Sequence, residues 1–167
     1  AVDVSANGKI VAVGAPFHGD GGVAIGQVRV YTYLEEKQEW EQVGGGIDGE
    51  NPGEQAGWAV SLSADGNLVA VGSFDGNGDS RGHVWVYQHN FQNLTKDWDL
   101  HGSRIDGIQA QSIAGWAVSL SGDGTALAGD VVAGPVAAIS QCQKNNARSP
   151  IQIGSRRDSL AREPRLP

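Results

Sequence analysis

The chain has 167 residues, one domain's worth, and its 25 glycines with only 6 prolines and no G-X-Y triplet exclude collagen and leave a turn-rich globular class. No apolar run approaches the roughly 20 residues that span a bilayer; Met is absent and no basic-then-apolar leader opens the chain, so Ala1 reads as a cut or processed start. Charge divides the molecule: residues 1–129 carry 6 basic and 16 acidic side chains, net −10, with all eleven aromatics, while residues 130–167 carry 6 basic and 3 acidic, net +3. The acidic segment repels phosphate backbones and anionic membranes, excluding a nucleic-acid partner, and favours cations. A single cysteine, Cys142, excludes an intrachain disulfide and leaves the redox compartment open.

Self-similarity organises the rest. Ala1-Val2-Asp3-Val4-Ser5-Ala6-Asn7-Gly8 returns as Ala59-Val60-Ser61-Leu62-Ser63-Ala64-Asp65-Gly66 and again as Ala117-Val118-Ser119-Leu120-Ser121-Gly122-Asp123-Gly124, each time at an offset of 58. Nine of the fourteen residues in 1–14 are identical to those in 59–72, and Trp40, Ile47-Asp48-Gly49 and Ala56-Gly57-Trp58 recur at the same offset. In the second unit, residues 58–63 alternate with Trp58, Val60 and Leu62 on one face, the period of a strand. Asn7-Gly8, Asp65-Gly66 and Asp123-Gly124 predict a type I′ hairpin turn after each such strand. The apolar run 68–71 predicts a strand buried on both faces, 83–87 a third strand, and 97–101 a short polar outer strand. The expected fold is all-β: a partial β-propeller of about two four-stranded antiparallel blades plus the start of a third over 1–129, with an irregular C-terminal tail over 130–167. Small residues of each first strand (Ala59, Ser61, Ser63) suit the crowded axis, and the tryptophans the wider periphery between blades.

The order Ala-Gly, strand, Asp-Gly turn, strand, Gly14-Ala15-Pro16 resembles the FG-GAP repeat of integrin α-type propellers. Ala56 and Ala114 stand where that family has Phe, and Gly-Ala-Pro becomes Gly72-Ser73-Phe74 in the second unit. The resemblance implies a calcium loop between the second and third strands of a unit. Asp75, Asn77 and Asp79 match its ligand positions, Ser80 replaces its glycine and His83 its closing Asp, so the expected calcium binding is weak. The plain alternative is an Asp/Asn/Gly turn without an ion. In the first unit the corresponding loop offers only Asp20.

Other motifs dissolve on inspection. Gly44 to Gly49 spells G-x-G-x-x-G, but its repeat partner lacks the middle glycine and no helix follows, so it reads as a connecting loop. His18, His83, His89 and His101 have no metal-ligand spacing, and acids that recur in every unit, Asp48 with Asp106 and Asp65 with Asp123, read as turn and loop residues. Asn93-Leu94-Thr95 is a sequon, making Asn93 a glycosylation candidate. From Ala126 the repeat loses register; a reading-frame shift or unspliced insert is the favoured explanation, a disordered basic tail the alternative.

These readings predict a non-enzymatic, extracellular or cell-surface propeller fragment that presents loops to a protein or glycan partner, with weak calcium binding at one loop. The alternatives are a fragment of a glycosidase-like propeller whose catalytic blades lie elsewhere, or an intracellular structural propeller. No membrane span is expected, and open blade faces predict self-association.

Overall fold

The computed structural model describes residues 1–19, 24–74, 80–89 and 97–129, and the backbone of a strand at Ala137–Ser140. The expected calcium ligands Asp75, Asn77 and Asp79, the sequon residue Asn93, and Asp20 lie outside the described residues. Among the described residues there is no helix, and the strands form three antiparallel sheets, none closed on itself. The first sheet holds β1 (Val2–Val4), β2 (Ile10–Ala15), β3 (Gln27–Leu34), β4 (Glu39–Gln42) and β5 (Ile47–Asp48). The second holds β6 (Ala56–Leu62), β7 (Leu68–Ser73), β8 (His83–His89), β9 (Trp98–Leu100) and β10 (Ile105–Asp106). The third holds β11 (Val118–Leu120), β12 (Ala126–Gly129) and β13 (Ala137–Ser140).

The first two sheets carry one more strand than expected. β4 pairs with the second half of β3 and β5 with its first two residues, so the fourth column of the sheet is made in two pieces; β9 and β10 divide the edge of β8 in the same way. Two residues are too few to show an alternation, which is why Ile47-Asp48 reads as loop in sequence although Ile47 is buried.

The tight turns also differ from expectation. Asn7, Asp65 and Asp123 do not take positive φ; only the following glycines do, at 72°, 72° and 69°. Gly8 N–H donates to the Ser5 carbonyl, and Gly66 and Gly124 repeat this with Ser63 and Ser121, giving a four-residue turn that ends in a left-handed glycine rather than a type I′ turn. Side chains hold it: Ser63 Oγ donates to Asp65 Oδ1 at 2.5 Å and accepts from Leu68 N–H at 3.0 Å, while Asp65 Oδ1 accepts from Asn67 N–H at 3.0 Å. The same three bonds recur at Ser5/Asn7 and at Ser121/Asp123.

The sheets stack on one another, the second burying one face on the first and the other on the third. Ala12, Val28, Val30 and Ile47 of the first sheet meet Val60, Leu62, Val69 and Val71 of the second. On the second sheet's opposite face Ala70, Val84 and Val86 meet Leu120 and Leu127 of the third. Val69, Ala70 and Val71 are all fully buried, as a strand sandwiched on both faces requires. At about 1.5–3 kcal/mol per buried aliphatic side chain, these two layers are the main source of stability.

Polar contacts repeat with the period as well. Ala6 N–H donates to the Ala64 carbonyl and Ala64 N–H to the Gly122 carbonyl, at 3.0 and 2.8 Å. Asp3 Oδ2 accepts from Leu62 N–H at 2.7 Å, and Ser61 Oγ accepts from Leu120 N–H at 3.0 Å. The Ala-Gly and Gly-Ala-Pro motifs acquire a physical meaning here. A Cβ on Gly14 would lie 2.2 Å from the Gly57 carbonyl oxygen, and one on Gly72 the same distance from that of Gly115. Only glycine lets the two backbones approach this closely. Gly57, at φ 86°, also makes the bulge in β6 between Ala56 and Ala59.

The loss of register at Ala126 is corrected by the pairing. Val118, Ser119 and Leu120 face Gly129, Ala128 and Leu127, the same register by which Val60, Ser61 and Leu62 face Val71, Ala70 and Val69. β13 then pairs with all four residues of β12, so a strand stands within the segment expected to be irregular. Backbone pairing needs only an extended chain, which is why it persists where the side-chain pattern changes.

Candidate functional site

The connections at the start of β6 and the ends of β2 and β7 lie at one end of the sheets, opposite the Ser-Asp-Gly turns. Four aromatic rings gather there. Trp58, set out of the ladder by the β6 bulge, lies 6.1 Å from Phe17, 5.0 Å from Phe74 and 5.0 Å from Trp116, centroid to centroid; Phe74 and Trp116 are 5.5 Å apart. Phe17 and Phe74 each follow the strand that precedes a long connection, so one ring comes from each of two successive units at slightly different positions. Phe17 is 70% exposed and Trp116 47%. The four rings form one contiguous strip, with large rigid apolar area left in water at Phe17 and Trp116.

The expectation that tryptophans occupy the outer periphery holds for only some of them. Trp98 on β9 lies between the first two sheets, its Nε1–H donating to the Val43 carbonyl at 3.0 Å, and Trp40 stands on the outer strand β4. Trp58 and Trp116 instead belong to the strip, and their surroundings differ: Trp58 is half-buried by three rings, whereas Trp116 is exposed.

At the same end, four residues before Trp58, Glu54 is buried with only 1% of its surface exposed. Its Oε1 lies 2.9 Å from Nε2 of His83, itself 3% exposed, and its Oε2 accepts from Glu50 N–H at 2.7 Å and Asn51 N–H at 2.8 Å. Burial pushes the Glu54 carboxyl up, but the hydrogen bond from His83 and those from the Asn51 and Glu50 amides outweigh it and hold the group below the ordinary carboxylate range. An ionised Glu54 only accepts, so Nε2 of His83 carries the proton between them. The pair joins the connection between the first two sheets to β8.

Sequence reasoning named His83 as the residue in place of a closing calcium ligand and as one of four histidines without metal-ligand spacing, and did not single out Glu54. A signal was present: Ser112 replaces Glu54 one repeat later, and Gln27 stands in the first sheet where His83 stands in the second. Both positions of the pair thus depart from the repeat. Ser112 closes its own loop by accepting from Gln109 N–H and donating to the Gln109 carbonyl, and Gln27 donates to Asp48 at 2.6 Å.

The remaining candidates separate clearly. With Nε2 engaged by Glu54, His83 does not offer that nitrogen to a cation beside Asp75, Asn77 and Asp79, which lie outside the described residues, as does Asn93. Asp65 and Asp123 are turn residues; hydrogen bonds from Ser121 and Thr125 pull the exposed Asp123 carboxyl down to about 2. Glu35, Glu39 and Glu41 are exposed partners of Lys9 and Lys37. Among the described residues no group of three or more His, Cys, Asp or Glu side chains could hold a metal ion, and no helix is long and apolar enough to cross a membrane. A scan of protein-family models and a search of curated proteins both find no match.

Proposed function

We propose that this chain is a non-enzymatic binding module, a fragment of an FG-GAP-like β-propeller working outside the cell or at its surface, and that its aromatic end takes a protein or glycan partner. The observation that carries the reading is the strip of Phe17, Trp58, Phe74 and Trp116, exposed at both its ends. The repeated contacts between successive sheets support a propeller-type stack, because each sheet meets its successor through equivalent residues. Calcium enters as a weak ligand of Asp75, Asn77 and Asp79 that stiffens the loop following Phe74, with affinity in the range of about 10⁻⁴–10⁻³ M.

The test is a screen of the whole chain against glycan and cell-surface-protein arrays, repeated with Phe17→Ala and Trp116→Ala. A hot-spot ring contributes about 2 kcal/mol or more, roughly 30-fold in affinity. At least one ligand class should bind the wild-type chain and lose that factor in the variants, with melting unchanged. Binding indifferent to both rings, or none to either array, would refute the reading.

A further inference from the structure

The face that the second sheet buries on the first is exposed on the first sheet itself. Val2, Val4 and Val13 are 69%, 53% and 40% exposed, whereas their equivalents one repeat later, Val60, Leu62 and Val71, are 8%, 6% and 0% exposed. Beside them an apolar cleft of about 290 Å³ opens between Val11, Tyr31 and Trp40. Their equivalents, Val69, Tyr87 and Trp98, belong to the core between the first two sheets. A Cβ on Gly66 would strike Ile10 and one on Gly124 would strike Leu68, but nothing lies within 4 Å of Gly8. Hydrophobic and steric features of one interface are therefore repeated on an exposed face of the first sheet.

The mating surface stands at the other end of the stack. Ser119 on β11 and Ala128 on β12 occupy the positions through which Asp3 with Ala12, and Ser61 with Ala70, meet the following sheet. Ser119 is exposed, and so is Gly122 in the following turn. We propose that the exposed face of the first sheet docks, head to tail, on the outer face of the third sheet of a second copy of this chain. By the repeat of observed contacts, Ser119 Oγ takes over from Asp3 Oδ1 as acceptor of the Val4 N–H, the Gly122 N–H donates to the Ala6 carbonyl, and Ala126 fills the space beside Gly8. The observed junctions favour this polarity over face-to-face pairing of two first sheets: in both, the Asp3 or Ser61 side of one sheet meets the Leu62 or Leu120 side of the next. Such an interface is heterologous, so it either closes a ring or propagates. It uses the sheet faces and leaves the aromatic end free, so it stands apart from the binding reading above.

The experiment is sedimentation velocity of the whole chain from micromolar to millimolar concentration, with Val4→Glu to block one surface and Ala128→Arg to block the other. The wild-type chain should associate, and each variant alone should sediment as a monomer. Mixing the two variants should restore a one-to-one dimer, because each keeps the surface the other lacks. Val13→Lys repeats the first block should Val4→Glu fail to fold, judged by circular dichroism. A wild-type monomer throughout, association that survives either block, or folded variants that do not complement on mixing would each overturn the proposal.

Discussion

Replacing Glu54 by glutamine changes little in shape and one thing in chemistry: a group that only accepts hydrogen bonds becomes half donor. Four N–H donors converge on the carboxylate: the His83 ring, the Glu50 and Asn51 backbone amides and, at 3.4 Å, the Asn51 side chain. Whichever way the amide turns, its NH₂ faces at least one of them. The change removes a charge-assisted bond, about 1.5–3 kcal/mol, and leaves a buried donor without an acceptor, about 1–3 kcal/mol more. The sum agrees with the roughly 3–5 kcal/mol expected when one partner of a buried pair is lost. Set against a total stability of about 5–15 kcal/mol, that is at least about a fifth of the whole, or a melting temperature lower by about 6–20 °C.

Acid gives the same pair a second signature. Glu54 has a folded-state pKa below its unfolded value of about 4.5, so its contribution is fully present above that pH and is lost as pH falls through the lower folded value. Urea denaturation followed by tryptophan fluorescence, at fixed protein concentration, should therefore show a large gap between wild type and Glu54→Gln at neutral pH and a narrowing gap below about 4.5. A cycle with Glu54→Ser and His83→Gln, the residues that the neighbouring repeats use, should give a double variant more stable than the summed single losses imply, by about 0.5–3 kcal/mol. Equal stability of Glu54→Gln and wild type at neutral pH, or a gap that ignores acid, would refute the account of this pair.

Gly14→Ala should destabilise by about 3 kcal/mol or more, since its Cβ meets the Gly57 carbonyl at 2.2 Å and backbone cannot rotate aside, whereas Gly8→Ala, at φ 72° in open space, should cost only about 1–2 kcal/mol; thermal melts of the two variants decide the order. Asp123 has its pKa lowered from 3.8 to about 2, so its turn should hold above 3.8 and loosen as pH falls toward 2, and amide exchange at Thr125 and Ala126 should accelerate in that window in wild type but not in Asp123→Ala. Calorimetric titration with calcium should give heats in the millimolar range that vanish in the Asp75→Ala, Asp79→Ala double variant, and equal heats in both would reduce that loop to a plain turn.

The repeat made the sheets legible because a 58-residue offset fixes which positions are equivalent, and equivalence survives substitutions such as Val4 for Leu62. Alternation along 58–63 and the apolar run 68–71 located β6 and β7, whose side chains do sort onto opposite faces. Signals carried by one or two residues were lost. β5 and β10 are too short to alternate, and Asp-Gly alone does not distinguish a type I′ turn from one whose geometry is set by a serine two residues before the aspartate. The aromatic strip was legible only in part: the repeat paired Trp58 with Trp116, but Phe17 and Phe74 fall at non-equivalent positions, and only the fold brings each of them against Trp58.

That difference between equivalent and non-equivalent positions also separates what the stack needs from what it presents. Residues bound by the repeat, such as Gly14 with Gly72 and Ser63 with Ser121, make contacts that every sheet must make with its neighbour or within its own turn. Changing one should weaken the stack wherever it stands. Residues that break the repeat, Phe17, Phe74, Glu54 and His83, gather at the end carrying the long connections, where the chain can vary without disturbing the ladder. Glu54 and His83 lock one connection to the second sheet from within, and the rings cover that end from outside. The strip combines ring positions that recur, Trp58 and Trp116, with Phe17 and Phe74, which do not, so as a whole it occurs once among the described sheets.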